Sequence, residues 1–157
     1  MKTQVDLLKE YKIPIRGQLG QHLLIDPNIQ NKIVDLLEIR KEDTILEIGP
    51  GLGALTAPLL RRGSRVLAIE KDRRFVEILE KVFPSDIAQG RLQLFSQDVL
   101  DVDIEGMLRE AGAHCPLKVV SNLPYYITGP VLFLILSSSN LFKKGVFMMQ
   151  QEVARRL

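Results

Sequence analysis

From Thr44 onward the chain alternates short apolar, β-branched runs with helical stretches, and that rhythm admits very few folds. Residues 44–48, 65–69, 92–95, 117–120 and 146–149 have the length and Val/Ile/Leu content of buried strands. Between them, 54–62, 73–82, 104–110 and 130–136 read as helices. Parallel strands need a crossover, and a helix fills it, so the alternation predicts an α/β parallel sheet of about five strands with helices on both faces. Ligands of such sheets sit outside the carboxyl ends of the strands.

Upstream, residues 1–20 read as a polar arm with a weak helical stripe of Val5, Leu8 and Tyr11, broken at Pro14 and Gly17. A domain is expected over residues 21–157. Asp26 and Pro27 supply an N-cap and a first-turn proline, and Ile29, Ile33, Leu36 and Leu37 continue as an apolar helix face to about Glu38.

With 157 residues, 46% hydrophobic and 25% charged, the composition is that of one globular domain with a sizeable core. The net charge of +2 permits a nucleic-acid partner without arguing for one. A single cysteine, Cys115, excludes an internal disulfide and gives no metal-ligand pattern, so a reducing, cytoplasmic setting without a metal is expected. The longest apolar run, 131–136, is far too short to span a membrane.

Chemistry-bearing residues gather at the strand ends. Glu47 to Gly53 follow the first strand, Glu70 ends the second, Asp98 follows the third and Asn122 follows the fourth. Asn122-Leu123-Pro124-Tyr125 supplies what methylation of a planar, weakly nucleophilic amine requires. The lone pair of an exocyclic amine such as adenine N6 is delocalised into the ring. If the Asn122 amide oxygen and the Leu123 carbonyl each accept one N–H, the nitrogen is drawn towards a tetrahedral shape and aimed at a methyl donor. Pro124 fixes the turn, and Tyr125 offers a face on which the base stacks.

Gly49-Pro50-Gly51-Leu52-Gly53-Ala54 also satisfies a dinucleotide pattern, with Glu70 placed for a ribose diol, so an NAD-dependent oxidoreductase is a rival reading. Against it, Pro50 removes an N–H from the loop that would cradle a pyrophosphate. Glu47, Glu70 and Asp98 also collect negative charge, which suits a sulfonium and penalises phosphates. Asp98 is well placed to accept from an adenine amino group. These features favour S-adenosyl-L-methionine as the cofactor.

Several stretches together resemble the catalytic domain of the ribosomal RNA adenine N6,N6-dimethyltransferases, the kasugamycin-sensitivity dimethylases. They are Leu19-Gly20-Gln21-His22-Leu23-Leu24, the run from Leu46 to Thr56, Ala68-Ile69-Glu70-Lys71-Asp72, Gln97-Asp98-Val99-Leu100, Ser121 to Ile127, and Gln150-Gln151-Glu152-Val153-Ala154. The resemblance implies a Rossmann-like S-adenosylmethionine-dependent methyltransferase fold and transfer of two methyl groups to N6 of adenines in small-subunit ribosomal RNA. It implies that His22 and Leu24 line the methionine end of the cofactor and that Gly49 and Gly51 lie in the loop beneath it. By the same resemblance Glu70 holds the ribose, Asp98 meets the adenine, and Asn122 stands between cofactor and target amine. An erythromycin-resistance type of methylase, acting on the large-subunit RNA, shares these motifs and remains an alternative.

The chain departs from the family pattern in carrying, in the arm before Leu19, only Arg16 where the family usually has a basic cluster, and in having Gln151 where a Lys is common. It stops at Leu157, before the family's last two strands and its C-terminal helical domain. The expectation is a fragment that keeps cofactor binding, methylates ribosomal RNA poorly, and self-associates through an apolar fifth-strand edge around Val146, Phe147 and Met148.

Overall fold

The computed structural model describes residues 4–13, 24–122, 124 and 126–156. Its centre is a parallel sheet built from β1 (Thr44–Ile48), β2 (Arg65–Glu70), β3 (Leu92–Ser96), β4 (Leu117–Asn122) and β5 (Phe142–Met148), in the order β3-β2-β1-β4-β5. The strand order reverses after β3, where the chain crosses back to the far side of β1. A crevice is therefore expected where β1, β2 and β4 end.

Strand alternation sorts the apolar side chains to two faces. Ile45, Val66, Ala68, Leu92 and Val120 face α2 (Pro27–Leu36), α3 (Thr56–Arg61) and α4 (Arg73–Val82), packing with Ile33, Val34, Leu59 and Leu79. Leu46, Ile48, Leu67, Ile69 and Val119 face α6 (Ile104–Glu110) and α7 (Thr128–Ser137), packing with Met107, Leu108, Val131 and Ile135. Each fully buried aliphatic side chain contributes about 1.5 to 3 kcal/mol. Both faces carry many of them, which is why the strands read as continuous apolar runs.

Helices α2 and α4 start at aspartate caps. Asp26 accepts from the Asn28 N–H at 2.8 Å, and Asp72 caps α4 by accepting from the Arg74 N–H at 2.9 Å. The helix expected from Pro130 begins instead at Thr128, whose hydroxyl donates to the Pro124 carbonyl at 3.1 Å. A proline within the first turn forfeits no intrahelical bond, so it need not mark the first residue. The short helices α5 (Pro84–Ala88) and α8 (Gln151–Ala154) were not expected from the sequence. Likewise β5 begins at Phe142 rather than at 146, and it forms an edge of the sheet among the described residues.

The first described element, α1 (Gln4–Glu10), packs against the domain. Leu7 and Leu8 are buried in a cluster with Leu52, Phe75 and Ile78, so the helix lies against the turn after β1 and the start of α4. Within that turn Gly53 has φ +81°, and a Cβ added there would stand 2.8 Å from Phe83 Cε2 and 3.1 Å from Leu79 Cδ2. Gly53→Ala therefore combines a disfavoured backbone with a clash. A loss of about 1 to 3 kcal/mol is expected in urea unfolding.

At the amino ends of the strands lies a buried ionic knot. Lys118, 7% exposed, donates to Asp43 Oδ2 at 2.6 Å and to the Glu38 carbonyl at 2.7 Å. Lys143 holds the other Asp43 oxygen at 2.7 Å, and the Arg40 N–H reaches Oδ2 at 2.8 Å. Burial alone would raise the Asp43 carboxyl, but the hydrogen bonds from Lys118, Lys143 and Arg40 outweigh it and hold the group well below the usual carboxylate range.

Candidate active site

At the opposite ends of the strands is a cavity of about 520 Å³, bordered by Leu24, Glu47, Gly49, Gly51, Glu70 and Asn122. Seven of the residues expected at the site, Pro124 among them, thus line one cavity. The register shows why. Glu47 pairs with Ala68 and Val120, placing Glu47, Glu70 and Asn122 at alternate positions on one face of three adjacent strands. His22, Leu123 and Tyr125 lie outside the described residues.

Three N–H groups of the loop after β1 are spent on the protein itself. The Gly49 N–H donates to the Ile69 carbonyl at 2.9 Å, Gly51 to Glu70 Oε2 at 3.0 Å and Gly53 to the Pro50 carbonyl at 2.9 Å, while Pro50 has none. Gly49 and Gly51 have φ of +68° and +56°, and a Cβ on either would meet nothing within 4 Å. The loop therefore offers a ligand an open backbone surface and few donors.

Two carboxylates form the polar part of the wall. Glu47 is 1% exposed and accepts from the Thr56 hydroxyl at 2.7 Å. Burial pushes its carboxyl up to about 7; hydrogen bonds from Thr56 pull against the rise, and the neighbouring Glu70 adds to it. Glu70, also buried, accepts from the Gly51 N–H and from the Asp72 N–H at 2.8 Å. Burial raises it too, opposed by those N–H groups. Among the described residues no cationic side chain pairs with either acid. The rim cations are engaged elsewhere: Lys71 with Asp98 at 2.5 Å, Arg73 with Glu77 at 3.4 Å and Arg74 with Asp72 at 2.5 Å.

Asp98 stands just beyond β3, but its side chain does not line the cavity. One oxygen is held by Lys71, and the other accepts from the Leu100 N–H at 3.1 Å. Sequence reasoning missed several wall residues, including Gln4, Asp72, Phe75 and Tyr126. Gln4 comes from the supposed arm, and its only sequence signal was its place ahead of the Leu7-Leu8 pair. Tyr126 stood inside a recognised motif without a role, and it is 63% exposed at the cavity. Among the described residues no group of three or more His, Cys, Asp or Glu is placed to hold a metal ion, and no helix is long and apolar enough to cross a membrane.

Comparison with known proteins agrees with this geometry. A family model described as ribosomal RNA adenine dimethylase matches residues 13–157. Ribosomal RNA small subunit methyltransferase A of Halothermothrix orenii is 40% identical over 153 residues, which make up 97% of this chain and 50% of that protein. The crystal structure of a dimethyladenosine transferase from Plasmodium falciparum superposes with a TM-score of 0.66 at 30% identity, covering 86% of this chain and 45% of that one. The structure of the 23S rRNA methyltransferase ErmE shares the fold, with a TM-score of 0.67 at 24% identity over 83% of this chain and 48% of that one. The chain spans about half the length of the curated relatives it matches. Matched along nearly its whole length, the chain belongs to the ribosomal RNA adenine dimethylase family.

Proposed function

We propose that this chain carries the cofactor site and the amine-orienting residues of an S-adenosylmethionine-dependent enzyme that dimethylates N6 of adenines in small-subunit ribosomal RNA, working in the cytoplasm. The observation that carries the reading is the pair of buried acids, Glu47 and Glu70, which line the cavity with no cationic side chain between them among the described residues. Buried carboxylates without a counter-charge are costly, and a cationic ligand removes that cost. The cavity volume lies in the range of nucleoside-sized ligands, about 300 to 1,000 Å³. The N–H groups of the β1 turn that are tied up internally leave little for a pyrophosphate, which counts against NAD.

S-adenosylmethionine, when bound, supplies a methyl group on a positively charged sulfur. Glu70, fixed by two backbone N–H groups, keeps acceptor capacity for a ribose diol, since a carboxylate offers about four lone-pair sites. Leu24, Gly49 and Gly51 form the surface against which the ligand lies. Asp98, outside the cavity wall and held by Lys71, reaches the cofactor's adenine amino group only on release of that ion pair. For the target amine, the Asn122 side-chain oxygen and the Leu123 carbonyl are the acceptors of its two N–H groups, and Tyr125 is the face on which the base stacks. Once its nitrogen is positioned, the amine needs no strong general base before attack.

Glu70→Ala should weaken S-adenosylmethionine binding by about 1 to 3 kcal/mol through loss of a buried hydrogen-bonding partner, measured by calorimetry. Unchanged affinity would mean that the ribose lies elsewhere. The small-subunit assignment is tested by incubating the protein with methyl-labelled cofactor and with unmethylated small and large ribosomal subunits in parallel. Label recovered as N6-methylated adenine in the small-subunit RNA is expected. The yield from this chain alone should be low, and label confined to the large-subunit RNA would overturn the assignment.

A further inference from the structure

We infer that helix α1 is a working wall of the cofactor site and Gln4 a positioning residue within it, so that seating of the helix and binding of the ligand favour each other. The inference rests on the proposed cofactor site. It adds to that site a segment in which the sequence carries no glycine loop and no recognised motif.

Gln4 lies on the cavity wall with Leu24 and Ala54. In the amide orientation that satisfies both of its ends, the nitrogen donates to the Leu24 carbonyl at 3.3 Å and the oxygen accepts from the Ala54 N–H at 3.2 Å. Gln30 of α2 donates to the same carbonyl at 2.7 Å. One side chain thus joins α1 both to the approach to α2 and to the turn after β1, at the edge of the cavity. Gln4, Leu52 and Ala54 also border a smaller cavity of about 270 Å³ between α1, α2 and α3. They are the partition between the two spaces.

Leu7 and Leu8 supply the seat. They are 3% and 5% exposed and pack in one cluster with Leu52 and Phe75, both of which also line the ligand cavity. Past the helix, Tyr11 packs on the same cluster and lies under Lys81 of α4, whose ammonium is 5.4 Å from the ring centroid. A helix of seven residues is not stable by itself in water, so α1 is held by this packing and by Gln4. A ligand that fills the cavity against Gln4, Leu52 and Phe75 favours the seated helix, and a seated helix keeps those three side chains in place for the ligand. The coupling is reciprocal: whatever affinity the ligand gains from a seated α1, the seat gains from the ligand.

Amide hydrogen exchange on the full chain, with and without saturating S-adenosylmethionine, reads the coupling directly. The Tyr11 N–H donates to the Leu7 carbonyl at 2.9 Å and the Ile13 N–H to the Leu8 carbonyl at 3.0 Å, so these two amides report whether α1 is seated. Neither residue lines the cavity, yet their exchange should slow roughly threefold or more when the ligand binds. Leu8→Ala changes no side chain of the cavity wall, and it should speed exchange at both amides and weaken S-adenosylmethionine binding roughly threefold or more, because fewer molecules hold α1 in place. Gln4→Ala should weaken binding by roughly three- to tenfold through its lost hydrogen bonds, with the urea midpoint of the domain unchanged. Should Leu8→Ala fail to fold, exchange in the native chain decides. Equal exchange at the two amides in free and bound protein, or parental affinity in either variant, would overturn the role of α1 while leaving the cofactor site standing. Failure of the native chain to bind S-adenosylmethionine would overturn both.

Discussion

Lys118→Ala should destabilise the fold by about 3 to 5 kcal/mol, the cost of stranding a buried charge when its partner is removed. The Asp43 side chain is 4% exposed, and loss of Lys118 would leave its Oδ2 atom with only the Arg40 N–H. Lys143, 43% exposed, holds the same carboxylate from the rim, so Lys143→Ala should cost only about 1 kcal/mol or less. Urea unfolding of the two variants at neutral pH measures the contrast; equal losses would mean that the knot does not depend on its buried member. The acid limb has a definite sign. Asp43 is depressed in the folded protein, so its contribution is fully present above the ordinary value of 3.8 and is lost as pH falls below it. Lys118→Ala should therefore unfold less steeply with acid than the parent, because the Asp43 shift shrinks.

Asn122→Ala should slow methyl transfer to adenine by about a hundredfold or more, the scale seen when one preorganised polar group is removed from a reacting centre. Cofactor affinity should change by only a few fold, because the side-chain oxygen acts on the target amine during transfer and not on the bound cofactor. Single-turnover methylation with saturating labelled cofactor separates the two effects. Transfer at the parental rate would remove Asn122 from the chemistry. Tyr125→Phe should be tolerated in the same assay and Tyr125→Ala should not, since the ring face is what the base meets.

Much of this could be read from the chain because β1, β2 and β4 are buried on both faces. Their apolar runs leave no ambiguity of period, and the acids that interrupt them fall at the carboxyl ends, where parallel sheets bind ligands. Glu47, Glu70 and Asn122 can therefore be grouped from the sequence, and the strand register sets them on one shared face. What escaped depends on contacts between residues far apart in sequence. Lys143 and Lys144 obscure the start of β5, yet they are held by Asp43 and Glu38, about a hundred residues earlier. Gln4 looked like part of a polar arm because the burial of Leu7 and Leu8 against Phe75 and Ile78 leaves no local signature. Thr56 read as one more helix residue, although it is the hydrogen-bond partner of the most buried acid at the site. The Lys71 contact with Asp98 was likewise invisible, since it joins the ends of two strands through a pair of loops.

Side-by-side calorimetric titration of the chain with S-adenosylmethionine and with NAD asks whether the cavity lined by Glu47 and Glu70 takes a cationic, phosphate-free nucleoside. Saturable 1:1 binding of S-adenosylmethionine, lost or weakened in Glu70→Ala, together with no measurable heat from NAD, is the predicted result. Binding of NAD with comparable or greater affinity would contradict it.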